Sequence, residues 1–180
     1  ITFHLGNGCS MASVLNGKSV DTSMGFTPLD CLVMGTRCGD IDPAIVTFLM
    51  EKEGFSVQEI DDVLNKKSGL LGISETSNDM REIQALAGEG NEQAKLTMEV
   101  FYYRIKKYIG SYIAVMNGID AIVLTAGIGE NNPWLKERLE KDLSEILSRF
   151  NAKVLVCPTK EEWMIAMETN EVIKNGGGKV

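Results

Sequence analysis

The sequence predicts a mixed α/β domain whose sheet is partly antiparallel. Three observations carry that class: short β-rich segments joined by glycine turns at the start, a helical block in the middle, and a strand-turn-helix unit used twice at the end. With 180 residues, the chain is long enough to bury one proper core. No internal repeat or linker divides it, so residues 1–180 read as a single domain.

Ile1 to Leu5 reads as a strand that enters the turn Gly6-Asn7-Gly8. Ser10 to Leu15 is a second strand, turned by the hairpin signal Asn16-Gly17 into a third at Ser19 to Thr22. A β-meander of this kind is not a βαβ unit, which counts against a Rossmann role for the first glycines. Ser23 to Gly39 carries Gly, Pro, Thr and Ser at close intervals and predicts an irregular, ligand-facing loop. Asp42 as N-cap and Pro43 at the first helical position start a helix that runs to about Glu53 and stops at Gly54. Ser56 and Glu59 form a capping box for the next helix, closed near Gly69. A short helix follows from about Asp79 to Ala87.

From Glu92 to Met116, Leu96, Val100, Phe101, Ile105, Ile109 and Ile113 recur at helical spacing, and Asn117-Gly118 ends the run. Ala121 to Thr125 is a buried-type strand that delivers the chain to a glycine turn, Gly127 to Asn131. A helix then runs from about Pro133 to Ser148, a last strand from Lys153 to Val156, and a final helix is capped by Thr159 with Glu162 at the capping-box position. Asn175 to Val180 is a glycine-rich tail of the kind that frays. The chain opens with Ile1 inside a strand, which predicts a piece of something longer.

Composition excludes several function classes. A net charge of −7 with no Lys/Arg cluster argues against a nucleic-acid partner, because phosphate backbones demand a basic footprint. No apolar run approaches the roughly 20 residues of a membrane helix, and no secretory-type leader opens the chain. Cys9, Cys31, Cys38 and Cys157 form no Cys-x-x-Cys pair, so they read as free thiols of a cytoplasmic protein.

Five segments could carry chemistry. In His4-Leu5-Gly6-Asn7-Gly8, the two glycines would let backbone N–H groups converge on a phosphate, and Asn7 adds an amide donor. The same residues also suit a plain hairpin turn, and His4, the only histidine, is equally compatible with a structural place. Arg37, in a glycine-flanked loop, could neutralise a transferring phosphoryl group or simply pair with Asp40 or Asp42. On spacing alone, Ser77-Asn78-Asp79-Met80-Arg81 is a helix cap. Gly127-Ile128-Gly129-Glu130-Asn131 fits either a nucleotide turn or a tight β-to-α connection, and Glu161 either a helix start or a carboxylate for Mg²⁺. The stripe and tyrosines of the long helix (Tyr102, Tyr103, Tyr108, Tyr112) read as packing.

Taken together, these motifs resemble the acetate kinase family. The resemblance rests on His4 to Gly8, Asn16 to Leu29, Gly35-Thr36-Arg37, Gly39 to Pro43 and Thr125 to Asn131, in the family's order over nearly the whole chain. The long Asp21–Leu29 motif is the most specific of them. The chain is similar to the family's C-terminal, nucleotide-binding domain. The resemblance implies the actin-like ATPase (ribonuclease H-like) fold shared by sugar kinases, actin and heat-shock chaperone ATPase domains. It implies reversible transfer from ATP to acetate, giving ADP and acetyl phosphate, with Mg²⁺ and a homodimer.

Position by position, the resemblance places His4, Leu5, Gly6, Asn7 and Gly8 at the phosphates, with Asn7 near the γ-phosphate. It places Asp79, Met80 and Arg81 on the nucleotide, which overrides the cap-only reading there. It puts Gly127, Ile128, Gly129, Glu130 and Asn131 on the adenosine side. Arg37 takes the role of stabilising the transferring phosphoryl group, and Glu161 that of the magnesium-associated carboxylate. The family's N-terminal domain is absent, so the chain is expected to hold the ATP half of the site and to be inactive alone. The connection between Ser148 and Lys153 is shorter than the family's usual one. Two alternatives stay open: a propionate kinase with the same motifs, and a non-catalytic actin-like nucleotide-binding module. Butyrate kinase departs from the Asp21–Leu29 pattern.

Overall fold

The computed structural model describes residues 1–174. The expected tail from Asn175 to Val180 lies outside the described residues. Five strands form one mixed sheet. β1 (Thr2–Leu5), β2 (Cys9–Leu15) and β3 (Lys18–Thr22) make the antiparallel meander. β4 (Ala121–Thr125) lies parallel to β1, with His4 opposite Thr125, and β5 (Lys153–Val156) lies parallel to β4. The order across the sheet is β3-β2-β1-β4-β5.

Alternation along the strands decides which face is covered. Phe3, Leu5, Cys9, Met11, Ile122, Leu124 and Val154 are buried on one face. They share a core with Phe101, Ile105 and Ile109 of α5 (Glu92–Met116) and with Leu135 and Leu139 of α7 (Pro133–Asp142). The opposite face presents Thr2 and His4, both exposed, and leaves the chemistry-bearing ends of β1 and β4 accessible.

The helical block between β3 and β4 begins with α1 (Ala44–Lys52) and α2 (Val57–Lys66). Asp42 serves the start of α1 by accepting from Ala44 N at 2.9 Å, although Pro43 occupies the cap position itself. The Ser56–Glu59 capping box forms in both directions. Here the structure corrects the expected end of the helix: α2 stops at Lys66, and Gly69 opens a further helix, α3 (Gly69–Ser74). Gly69 sits at φ +64, and a Cβ there would run into the carbonyl oxygens of Met34 and Arg37. The same glycine that reads locally as a stop is required because the loop before α1 crosses it. That loop docks through Leu70 N to Met34 O (2.8 Å) and Leu71 N to Gly35 O (2.9 Å). α4 (Met80–Gly88) follows and packs with α3 on α5.

Three more expectations need correction. Residues 126–131 are not an open glycine turn but a six-residue helix, α6 (Ala126–Asn131), entered directly from β4. Ala126 begins it at φ +63, a left-handed conformation that glycine would adopt more readily. The helix expected from Pro133 to Ser148 breaks at Leu143 into α7 and α8 (Ser144–Phe150), because Leu143 departs from helical geometry and turns its side chain into the core. Finally, the hydroxyl of Thr159 does not cap α9 (Glu161–Lys174) with Glu162. It bonds instead to Thr125, Ala126 and Glu130. α9 carries no buried residue, and Trp163, Ile165 and Ile173 stand exposed on it.

All four cysteines are free thiols, and burial pushes the Cys9 thiol up to about 12. No helix among the described residues is long and apolar enough to cross a membrane.

Candidate functional site

A cavity of about 730 Å³ opens where the parallel strands β1 and β4 end. Gly6 and Asn7 line it from the turn after β1, and Asn78, Asp79, Met80 and Arg81 from the start of α4. Gly127, Ile128, Asn131 and Asn132 line it from α6 and its exit. Its size is ordinary for a small-molecule pocket. Three segments far apart in sequence, each singled out above, thus meet around one space.

The turn itself is braced. Gly6 N donates to Gly8 O at 3.0 Å, and Gly35 N donates to Asn7 O at 2.9 Å. Asn7 Oδ1 accepts from Asn78 Nδ2 at 3.0 Å, so the carbonyl end of the amide is engaged. Its Nδ2 has no partner among the described residues and remains the donor that a ligand can use. Gly35 is glycine for a packing reason: a Cβ there would overlap the carboxamide of Asn7.

Asp79 is both cap and pocket wall. Its carboxylate accepts from Arg81 N at 2.8 Å and from Arg81 Nε at 3.0 Å. These bonds, the side-chain one foremost, hold its carboxyl well below the usual range, at about 2. The cap is therefore ionised at any neutral pH, with the Arg81 guanidinium held beside it and largely solvated. Met80 is buried in the core while still lining the cavity.

Arg37 lies on a second cavity of about 380 Å³, lined by Asn7, Gly8, Thr36, Arg37, Asn65 and Lys66. Asn7 borders both spaces. A Cβ on Gly8 would lie 3.5 Å from Arg37 Nη1, so the guanidinium sits against the turn. Neither expected partner takes it. Asp40 instead accepts from Tyr108 Oη at 2.5 Å and Cys31 N at 2.8 Å and faces Arg104, while Asp42 serves α1. Among the described residues, Arg37 has no ion pair; its Nη1 donates weakly to Pro28 O at 3.4 Å.

The other named residues fall around this centre. Leu5 is fully buried with its side chain in the core. Gly129 is buried under α6, where a Cβ would press on the Leu124 backbone at 3.2 Å. Glu130 faces away from the cavity and bonds Ala126 and Thr159. His4 Nε2 stands 3.7 Å from Glu161 Oε1, so β1 and the head of α9 meet beside the site. No three His, Cys, Asp or Glu side chains converge on a metal position among the described residues. Sequence reasoning missed Asn78 and Asn132. Asn78 lies within the Ser77–Arg81 cap segment already singled out, although only Asp79 to Arg81 are assigned to the nucleotide; Asn132 is buried, with Nδ2 donating to Ile128 O at 2.7 Å.

A family model described as the acetokinase family matches residues 1–148. The chain is 50% identical to an acetate kinase of Natranaerobius thermophilus over 192 aligned positions, covering 96% of this chain and 48% of that protein. That alignment is longer than the chain, so the relative carries positions this chain lacks. Among solved structures, the chain is similar to the acetate kinase of Porphyromonas gingivalis, with a TM-score of 0.89 and 43% identity over 96% of this chain and 48% of that one. It is also similar to a propionate kinase from Francisella tularensis, with a TM-score of 0.85 and 45% identity over 93% of this chain and 47% of that one. The chain thus spans about half the length of the relatives it matches. Its mixed sheet flanked by helices has the α/β actin-like ATPase architecture of those structures.

Proposed function

Because the chain belongs to the acetokinase family, we propose that it is the nucleotide-binding domain of an acetate kinase. In this reading, the complete protein transfers the γ-phosphoryl group of ATP reversibly to the carboxylate of acetate, and this chain supplies the ATP half. One observation carries it: Gly6-Asn7, Asp79 to Arg81, and Gly127, Ile128 and Asn131 border a single cavity, and Arg37, without an ion pair among the described residues, lies on the adjoining cavity that shares Asn7.

Gly6 and Gly8 allow backbone approach to the phosphates, and the Asn7 amide donates toward the γ-phosphate. Gly127, Ile128 and Asn131 form the adenosine wall, with Asp79, Met80 and Arg81 facing them across the nucleotide. Arg37 stabilises charge on the phosphoryl group in flight, as a planar fork that no carboxylate among the described residues holds back. The transfer is direct and in line, so positioning and charge neutralisation supply the catalysis and no covalent enzyme intermediate is needed.

The donor set suits Mg²⁺. Such an ion uses one or two carboxylates and completes its shell with water and phosphate oxygens, so a lone Glu161 beside His4 fits where a cage of ligands would not. Bound there, Mg²⁺ would neutralise phosphate charge. A homodimer, with the acyl pocket completed by the other domain, belongs to the same reading. So does a cytoplasmic location, which suits the free thiols.

The deciding experiment assays the complete protein for acyl phosphate formation with acetate, propionate and butyrate. Acetate is expected to give the highest kcat/KM. The similarity to a propionate kinase supports the second reading, which a propionate preference would establish. ATP binding without any acyl phosphate would leave a nucleotide-binding module and overturn both. For this chain alone, millimolar Mg-ATP should raise the thermal midpoint, since a ligand that binds only the folded state stabilises it.

A further inference from the structure

Glu130 sits in the nucleotide-binding segment by sequence, yet its carboxylate turns to the protein. Oε1 accepts from Ala126 N at 2.9 Å, Thr159 N at 2.8 Å and Thr159 Oγ1 at 2.9 Å. Ala126 N is shared, donating also to Thr159 Oγ1 at 3.0 Å, and that hydroxyl lies 2.9 Å from the Thr125 hydroxyl. One carboxylate oxygen thus ties the first residue of α6 to the segment leading from β5 into α9. We infer that Glu130 is a positioning residue that holds Glu161 and the adenosine wall in register. This rests on the nucleotide-site reading above.

Packing cannot do that work at the head of α9. That helix buries no residue, and Val156 and Cys157 before it are exposed. Between β5 and α9, the chain is tethered by Cys157 N to Leu124 O at 2.9 Å and then by the Glu130–Thr159 bonds. Thr159 stands two residues before Glu161, which faces His4. On the other side, α6 starts from a strained backbone at Ala126, and the same oxygen holds that amide. Gly127 and Ile128, which line the cavity, follow at once. Three donors on one oxygen also keep the Glu130 carboxyl below its ordinary range, the Thr159 amide first among them.

The test measures ADP affinity of the complete protein by calorimetry, with saturating Mg²⁺ and with EDTA. Wild type is expected to bind ADP more tightly with Mg²⁺. Glu130→Ala should reduce that Mg²⁺-dependent gain by about tenfold, the usual scale for removing an outer partner of a metal ligand. Glu130→Gln keeps an acceptor oxygen and should retain most of the gain. Thr159→Val, which removes only the hydroxyl, should give a partial loss that does not add to that of Glu130→Ala. The inference falls if Glu130→Ala keeps the full gain, or weakens ADP equally with and without Mg²⁺. It also falls if Glu130→Gln behaves like Ala. Should wild type bind no ADP at all, the nucleotide-site reading falls with it.

Discussion

β1 and β4 are parallel neighbours, and each leaves the sheet through glycines spaced two apart, yet the two exits are built differently. Gly6-Asn7-Gly8 is a tight turn that hands the chain back into β2. Gly127-Ile128-Gly129 winds into α6. In the first exit, Gly8 lies against Arg37, where a Cβ would make only ordinary contact with Nη1 at 3.5 Å, and Gly6 and Asn7 line the cavity. In the second, Gly129 lets a helix press onto the β4 backbone. The spacing specifies only an absence of side chains; what fills the vacated space is decided by residues distant in sequence. The functional reading sharpens the contrast, since the first exit should govern phosphoryl transfer and the second nucleotide affinity.

The largest expected effect tests the first exit. Arg37→Ala in the complete protein should lower kcat by about 10³-fold, the lower end for an arginine that stabilises phosphoryl transfer, with little change in ATP affinity. Unchanged turnover in steady-state assays would remove Arg37 from the chemistry. Gly35→Ala comes next. Its Cβ displaces the Asn7 amide, and misplacing a substrate-positioning group by an ångström costs on the order of 10² in rate. A kcat close to wild type would show that Asn7 is not held by this packing.

Smaller effects probe the nucleotide walls. Asp79→Ala removes the cap of α4 and frees Arg81, and should cost about 1 kcal/mol in denaturant unfolding. It should also raise the KM for ATP several-fold and leave kcat in place. The pH sign follows from the depressed Asp79 carboxyl, which is lower in the folded state than in the unfolded one. Its contribution is complete above the ordinary carboxylate range and is lost as pH falls toward about 2. The stability gap between wild type and Asp79→Asn should therefore be open at neutral pH and close in strong acid. The smallest effect belongs to the second exit: Ala126→Gly should stabilise the fold by on the order of 1 kcal/mol by relieving the left-handed backbone. A lower thermal midpoint would show that Ala126 is not strained.

Much of this was legible in the sequence because it is local. The helix from Glu92 to Met116, the Asn16-Gly17 hairpin and the Ser56–Glu59 box all act within a few residues, and they form as the sequence predicts. The pocket segments were nameable for the same reason, as glycine turns and a capped helix start. What failed was the meaning of single glycines and carboxylates. Gly69 reads as a helix end, yet it begins a helix under a crossing loop. Thr159 reads as a cap, yet it answers to Glu130, 29 residues earlier.

By itself, then, the sequence determined the meander, the long helix, the family and the segments that border the cavity. Only the tertiary structure decided that Asp40 turns to Tyr108 and leaves Arg37 without an ion pair among the described residues, that Asn78 braces Asn7 from 71 residues away, and that Glu130 bonds the chain rather than facing the cavity. The physical reason is range. Propensity and capping act over a turn or two of chain, whereas the partner of a charged or amide side chain depends on which distant backbone the fold carries to within 3 Å of it.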